Sequence, residues 1–360
     1  MTEAASRRGP RRIAPVTLLT GFLGAGKTTL LNRLLADPAL ARAAVIVNEF
    51  GEIGLDHALI ETAEDGVIEL SDGCLCCTVR GDLVDTLERL LDGGRAIDRI
   101  VIETTGLADP VPVLRAVIDH PSRAHLMRLD GVVTALDAVE GAATLERHEE
   151  ARRQVAVADR IVLTKMDLAD RGSSAADAAR ALNPGAPIVD AREEDDLATA
   201  LLDCGLYDPA TKAADVGRWL RDDAHAHDHH HHDATRHGES IRSYALRHEA
   251  PLPLGAVEDF LNLLAAHHGP RLLRMKAIVH AAEHPHEPLV LHVVQSTMHP
   301  PARLRAWPDG EDRATRMVLI VDGIAEDHVR DLFAAFTGSP RVDAPDRAAL
   351  TDNPLAPSGV

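Results

Sequence analysis

Residues 21–28 read GFLGAGKT and directly follow the apolar run 13-IAPVTLLT-20. Gly21, Gly26, Lys27 and Thr28 fill every fixed position of the pattern G-x-x-x-x-G-K-[ST]. The chemistry explains the spacing. Gly21, Gly24, Ala25 and Gly26 let successive backbone N–H groups curl round a phosphate, and a helix opening near Gly26 aims its positive end there. Lys27 would reach the β- and γ-phosphates, the Thr28 hydroxyl would hold Mg²⁺, and Thr29 extends the same turn. A strand before and a helix after make this a phosphate-binding loop, and the fold it predicts is a P-loop NTPase.

Outward from this loop, apolar runs bounded by turn residues recur at 43-AAVIVNE-49, 97-IDRIVIET-104, 129-LDGVVTALD-137, 160-RIVLTK-165 and 187-PIVDA-191. Short runs of this kind suit strands buried on both faces. Helical segments lie between them. In 78-TVRGDLVDTLERLLDGG-94, Leu83, Leu87, Leu90 and Leu91 share one face and Gly93-Gly94 supplies the stop. Alternation of this kind predicts an α/β fold, a mostly parallel sheet with helices on both faces.

The pattern ends near residue 222 and gives way to 223-DAHAHDHHHHDATRHGE-239, which has no apolar periodicity and reads as a linker. Strands are then expected at 241–248, 289–295 and 317–323, and helices at 254–267 and 325–336. The organisation expected is a basic tail (1–12), a P-loop domain (13–222), the His-rich linker (223–239), a small α+β domain (240–340) and a polar tail (341–360).

Charge and composition exclude some partners. With 56 acidic against 38 basic residues the formal charge is −18, which is unsuited to a nucleic-acid backbone. No apolar span is long enough to predict a transmembrane helix. The start, 6-SRRGPRRIAPVTLLTGFLGAG-26, has the paired arginines and apolar run of a twin-arginine export signal. That run leads straight into Lys27, so the expectation is a cytoplasmic protein with a loose basic tail.

Two later pieces choose the nucleotide. In 103-ETTG-106, at the end of one strand, Glu103 can hold Mg²⁺ through water and the Gly106 N–H can meet a γ-phosphate. In 164-TKMD-167, at the end of another, Asp167 can accept both guanine N1–H and N2–H, and the Lys165 stem can lie along the base. Adenine offers no such donor pair, and a buried carboxylate left unmatched is costly. The nucleotide expected is GTP, with Lys27, Thr28 and Glu103 as its catalytic groups. Thr164 stands where many GTPases carry Asn, and its hydroxyl cannot supply a carboxamide's paired donor and acceptor.

The segment 71-SDGCLCCTVRGDL-83 gathers three of the chain's four cysteines, Cys74, Cys76 and Cys77, with Cys204 far away. In a reducing compartment such a cluster points to metal ligation or catalytic thiols. Helical geometry would bring Cys74 and Cys77 to one ion, and extended geometry Cys74 and Cys76. Three thiolates leave a divalent ion at net −1, which calls for a neutral fourth ligand. With two engaged, Glu52 of 48-NEFGE-52 becomes a candidate. A sulfur-rich tetrahedral site suits Zn²⁺ first and Co²⁺ next. Buried structural cysteines and a redox pair remain alternatives. His225, His227, His229, His230, His231 and His232 could form a low-specificity metal collector, or simply a solvated linker.

Taken in order, GFLGAGKTTLL, NEFGE, DGCLCC, ETTGLADP and TKMD resemble the CobW-type branch of the P-loop GTPases, which includes the HypB and UreG nickel chaperones. The resemblance continues through 272-LLRMKAIV-279, Trp307 and 317-MVLIVDG-323, which are similar to the CobW C-terminal domain. It implies GTP hydrolysis coupled to delivery of a transition metal, often zinc; the second domain, which shows no catalytic motif, is expected to recognise the metal-dependent client protein. Cobalt handling for cobalamin or nitrile hydratase maturation is an alternative, as are a metal buffer without coupled hydrolysis and an ATP-dependent kinase. The oligomeric state is left open, with nucleotide- or metal-dependent assembly among the options.

Overall fold

The computed structural model describes residues 13–47, 67–69, 79–92, 97–118, 127–169, 174–194, 196–202, 240–298, 301–307 and 312–338. The NEFGE segment with Glu52, the cysteine motif, Cys204 and the histidine tract fall outside these residues.

Strand β1 (Ala14–Gly21) is buried along almost its whole length and leads into helix α1 (Lys27–Leu35), which sets Leu30, Leu31 and Leu34 into the core. β2 (Ala43–Val47), β3 (Val67–Glu69), β4 (Arg99–Glu103), β5 (Met127–Asp137), β6 (Arg160–Thr164) and β7 (Ile188–Asp190) join β1 in a seven-stranded sheet ordered β3-β2-β4-β1-β5-β6-β7. All of its pairings are parallel, as near-continuous Val/Ile/Leu strands require when helices cover both faces. The covering helices include α2 (Val79–Asp92), α3 (Val111–Ile118), α4 (Gly141–Arg147), α5 (Glu149–Ala156), α6 (Ser174–Leu182) and α7 (Leu197–Leu201). Leu83 and Leu87 of α2 are buried and Leu90 packs partly against the same core. β1 lies between β4 and β5, so the loop after it opens at the carboxyl end of the sheet, where open α/β sheets bind ligands.

A second sheet is antiparallel. β8 (Ile241–His248), β9 (Leu272–Val279), β10 (Leu289–Val294), β11 (Thr297–Met298), β12 (Ala302–Arg303) and β13 (Thr315–Asp322) follow the order β11-β10-β9-β13-β8, with β12 pairing β10. Helices α8 (Leu254–His268) and α9 (Glu326–Phe336) cover one face through Phe260, Leu264, Val329 and Phe333. β9 is central, yet the apolar pattern does not predict it, because Arg274 and Lys276 interrupt its run.

Those two cations explain how the sheets meet. Asp159, fully buried before β6, pairs with Arg274 and, at 2.9 Å, with Lys276. Leu273, Val294 and Ile320 pack into the same core as Val16, Leu129 and Val132 of the parallel sheet. The two sheets thus share a buried seam of charged and apolar side chains.

Candidate nucleotide site

Gly24 and Gly26 have φ of 70° and 86°, the left-handed conformation that glycine adopts without a side-chain clash. Gly26 is the N-cap of α1 and offers no side-chain cap, so no side chain at the cap occupies the first N–H groups of the helix, where anions bind. Lys27 folds back across the loop, its ammonium 3.3 Å from the Phe22 carbonyl. The Ala25 N–H donates to the same carbonyl at 3.1 Å.

Thr28 donates from Oγ1 to Glu103 Oε1 at 3.2 Å, which joins the start of α1 to the end of β4. Glu103 is buried at 5% exposure. A hydroxyl and a carboxylate this close are hard oxygen donors of the kind Mg²⁺ takes, with its remaining positions left to water and phosphate. The adjoining Thr105 hydroxyl is buried without a hydrogen-bond partner among the described residues, which suits a site completed by a ligand.

Gly106 sits against the loop. A Cβ placed on it would lie 2.6 Å from the Leu23 nitrogen, so only glycine permits this approach. Its carbonyl, with that of Ala108, accepts from the Gln154 carboxamide at 3.0 and 3.1 Å. The preceding residue of α5, Arg153, reaches Asp109 at 3.5 Å and Asp322 of the second sheet at 2.8 Å. Two neighbouring side chains of one helix thus touch the ETTG loop and the antiparallel sheet.

At the other wall, Thr164 donates to the Ala25 carbonyl at 2.7 Å. The threonine that departs from the common asparagine therefore braces the phosphate loop directly. Lys165 adopts a positive φ of 55° and its ammonium lies 2.6 Å from Asp137 Oδ2. Burial pushes the Asp137 carboxyl up. The Lys165 hydrogen bond and the Val139 and Glu140 N–H groups outweigh that and hold it below the ordinary value. Asp167 is exposed two residues on. A cavity of about 240 Å³ flanks the loop, lined in part by Leu23, Gly24, Asp137, Gln154 and Lys165. It lies on the α5 side and is not lined by Lys27, Thr28 or Glu103.

The fold thus brings together Gly21, Gly24, Ala25, Gly26, Lys27, Thr28, Glu103, Gly106, Thr164 and Lys165, with Thr29 in the first turn of α1. Asp137 and Gln154 are absent from the sequence-level expectations. Asp137 had a signal, a carboxylate ending an apolar strand; Gln154 had none.

Comparison with known proteins agrees with this geometry. The family model for the CobW/HypB/UreG nucleotide-binding domain matches residues 15–190. That for the cobalamin synthesis protein cobW C-terminal domain matches residues 241–337. The chain is 32% identical over 323 residues to the zinc chaperone YjiA of Escherichia coli, covering 89% of this chain and 97% of that protein. It is also 32% identical over 356 residues to the zinc chaperone CobW of a Sinorhizobium species, covering 89% and 95%. The crystal structure of Zn(II)-bound YjiA GTPase from E. coli superposes with a TM-score of 0.65 at 27% identity, covering 90% of this chain and 99% of that one.

Proposed function

The chain belongs to the CobW/HypB/UreG family of nucleotide-binding proteins, and from that premise we propose that it is a GTP-hydrolysing metallochaperone that carries Zn²⁺ and yields it to a client protein. The observation that carries this reading is the Thr28–Glu103 contact of 3.2 Å beneath a loop of positive-φ glycines, with Gly106 pressed against it. Mg²⁺ bound by this pair would neutralise charge on the β- and γ-phosphate oxygens. Lys27 and the open N–H groups of α1 would hold the phosphates. Asp167 would read the guanine edge, and Asp137 keeps the Lys165 stem where the base would stack. Water then displaces GDP from the γ-phosphorus, giving GDP and phosphate.

Under this reading Cys74, Cys76 and Cys77 hold Zn²⁺ as cargo, and the support is that relatives of the chain are named zinc chaperones. A structural zinc site holds its ion with ~10–16 kcal/mol, so a donor needs a device that loosens it. Under this reading the device is the nucleotide, acting through NEFGE and ETTGLADP. Measuring GTP turnover with and without Zn²⁺, in the parent and in Cys74→Ala/Cys76→Ala/Cys77→Ala, tests it. Zn²⁺ should change turnover in the parent alone; equal turnover in all four conditions contradicts the coupling.

A further inference from the structure

The histidines of the second unit have no part in the nucleotide site. Two of them meet at its outer surface. His268 ends α8 and His328 lies in the first turn of α9, and their Nε2 atoms are 3.0 Å apart. The rings are nearly perpendicular, at 80°, with centroids 5.0 Å apart. His268 is half-buried and His328 exposed, so the pair opens to solvent. Beneath them the helices are locked by Phe260 against Phe333, with centroids at 5.3 Å.

We propose that His268 and His328 form a two-imidazole binding site for a borderline divalent metal ion such as Zn²⁺, separate from the cysteine motif. The spacing supports it. Two imidazole nitrogens at roughly 2.0–2.1 Å from one ion lie about 3.3 Å apart at a tetrahedral centre and about 2.9 Å apart at a right-angled one. The observed separation falls between these values. The nearby Arg271 guanidinium is engaged by the Asp322 and Gly323 carbonyls.

No cluster of three or more ligand-type side chains occurs among the described residues. A two-histidine site therefore leaves coordination positions open to water or to another protein's side chains, as a transit point for an ion needs. The inference stands whether or not the cysteines bind Zn²⁺, and its test is built accordingly. The full chain would carry Cys74→Ala, Cys76→Ala and Cys77→Ala, with each histidine between 225 and 237 changed to Asn, and be titrated calorimetrically with Zn²⁺. One equivalent should bind. Adding His268→Asn or His328→Asn should each weaken it by at least about tenfold, the low end of what even an outer-shell partner costs. Binding unchanged in either variant overturns the proposal. Long-range ¹H–¹⁵N spectra of the unsubstituted histidines guard against misfolding. Both Nε2 resonances should shift over the same Zn²⁺ equivalent; a shift in one ring or neither means a plain hydrogen-bonded pair.

Discussion

Gly106 has room for a hydrogen and nothing larger, since a Cβ would lie 2.6 Å from the Leu23 nitrogen and 2.8 Å from its Cα. Backbone cannot yield as a flexible side chain can. Gly106→Ala should therefore wedge the ETTG loop from the phosphate loop by a good fraction of an ångström. Misplacement on that scale costs roughly 10²-fold in rate. Single-turnover GTP hydrolysis should fall by about that factor, and unchanged turnover would separate the loop's approach from the chemistry. Thr164 makes a different kind of contact. Thr164→Val keeps the shape but removes the donor to the buried Ala25 carbonyl, at a cost of about 1–3 kcal/mol. The urea midpoint should drop without a change in slope; an unmoved midpoint would mean that the hydroxyl braces nothing.

Among the elements, α5 has the widest reach. Its C-terminal carbonyls at Val155 and Ala156 accept from the Asn183 carboxamide, which anchors that end. Gln154 and Arg153 then hold the ETTG loop and the second sheet, respectively. Gln154→Leu leaves two loop carbonyls without their donor, so turnover should fall more than nucleotide affinity. Equal losses in both would assign Gln154 to binding. The strands of the parallel sheet were legible because burial on both faces writes itself as unbroken apolar runs, and β1, β2, β4, β5, β6 and β7 lie where such runs occur. β9 was not, because Arg274 and Lys276 face the buried Asp159 just before β6 of the other sheet, a pairing no local window contains. The phosphate loop was legible for the opposite reason, since its geometry depends on glycines at fixed spacing. Gln154 was hidden because a carboxamide inside an amphipathic helix looks like any other polar position.

Across the whole molecule, the Asp159 cluster ties one sheet to the other. Burial pushes the Asp159 carboxyl up, but the Arg274 and Lys276 charges overwhelm it and hold the pKa far below the ordinary value. Asp159→Asn would remove the carboxylate that two buried cations share and should cost about 3–5 kcal/mol. The sign with pH follows from the lowered pKa. The carboxylate's contribution is complete above its unfolded value of about 3.9 and is lost as pH falls toward the depressed folded value. The stability gap between parent and variant should therefore be constant near neutrality and narrow below about pH 4. The central claim is that nucleotide and metal are linked. Its most direct test is the Zn²⁺ dissociation constant of the full chain, measured by chelator competition with a non-hydrolysable GTP analogue and again with GDP. The account predicts values that differ by at least about fivefold, the lower edge of ordinary allosteric coupling. Identical constants in the two nucleotide states would contradict it.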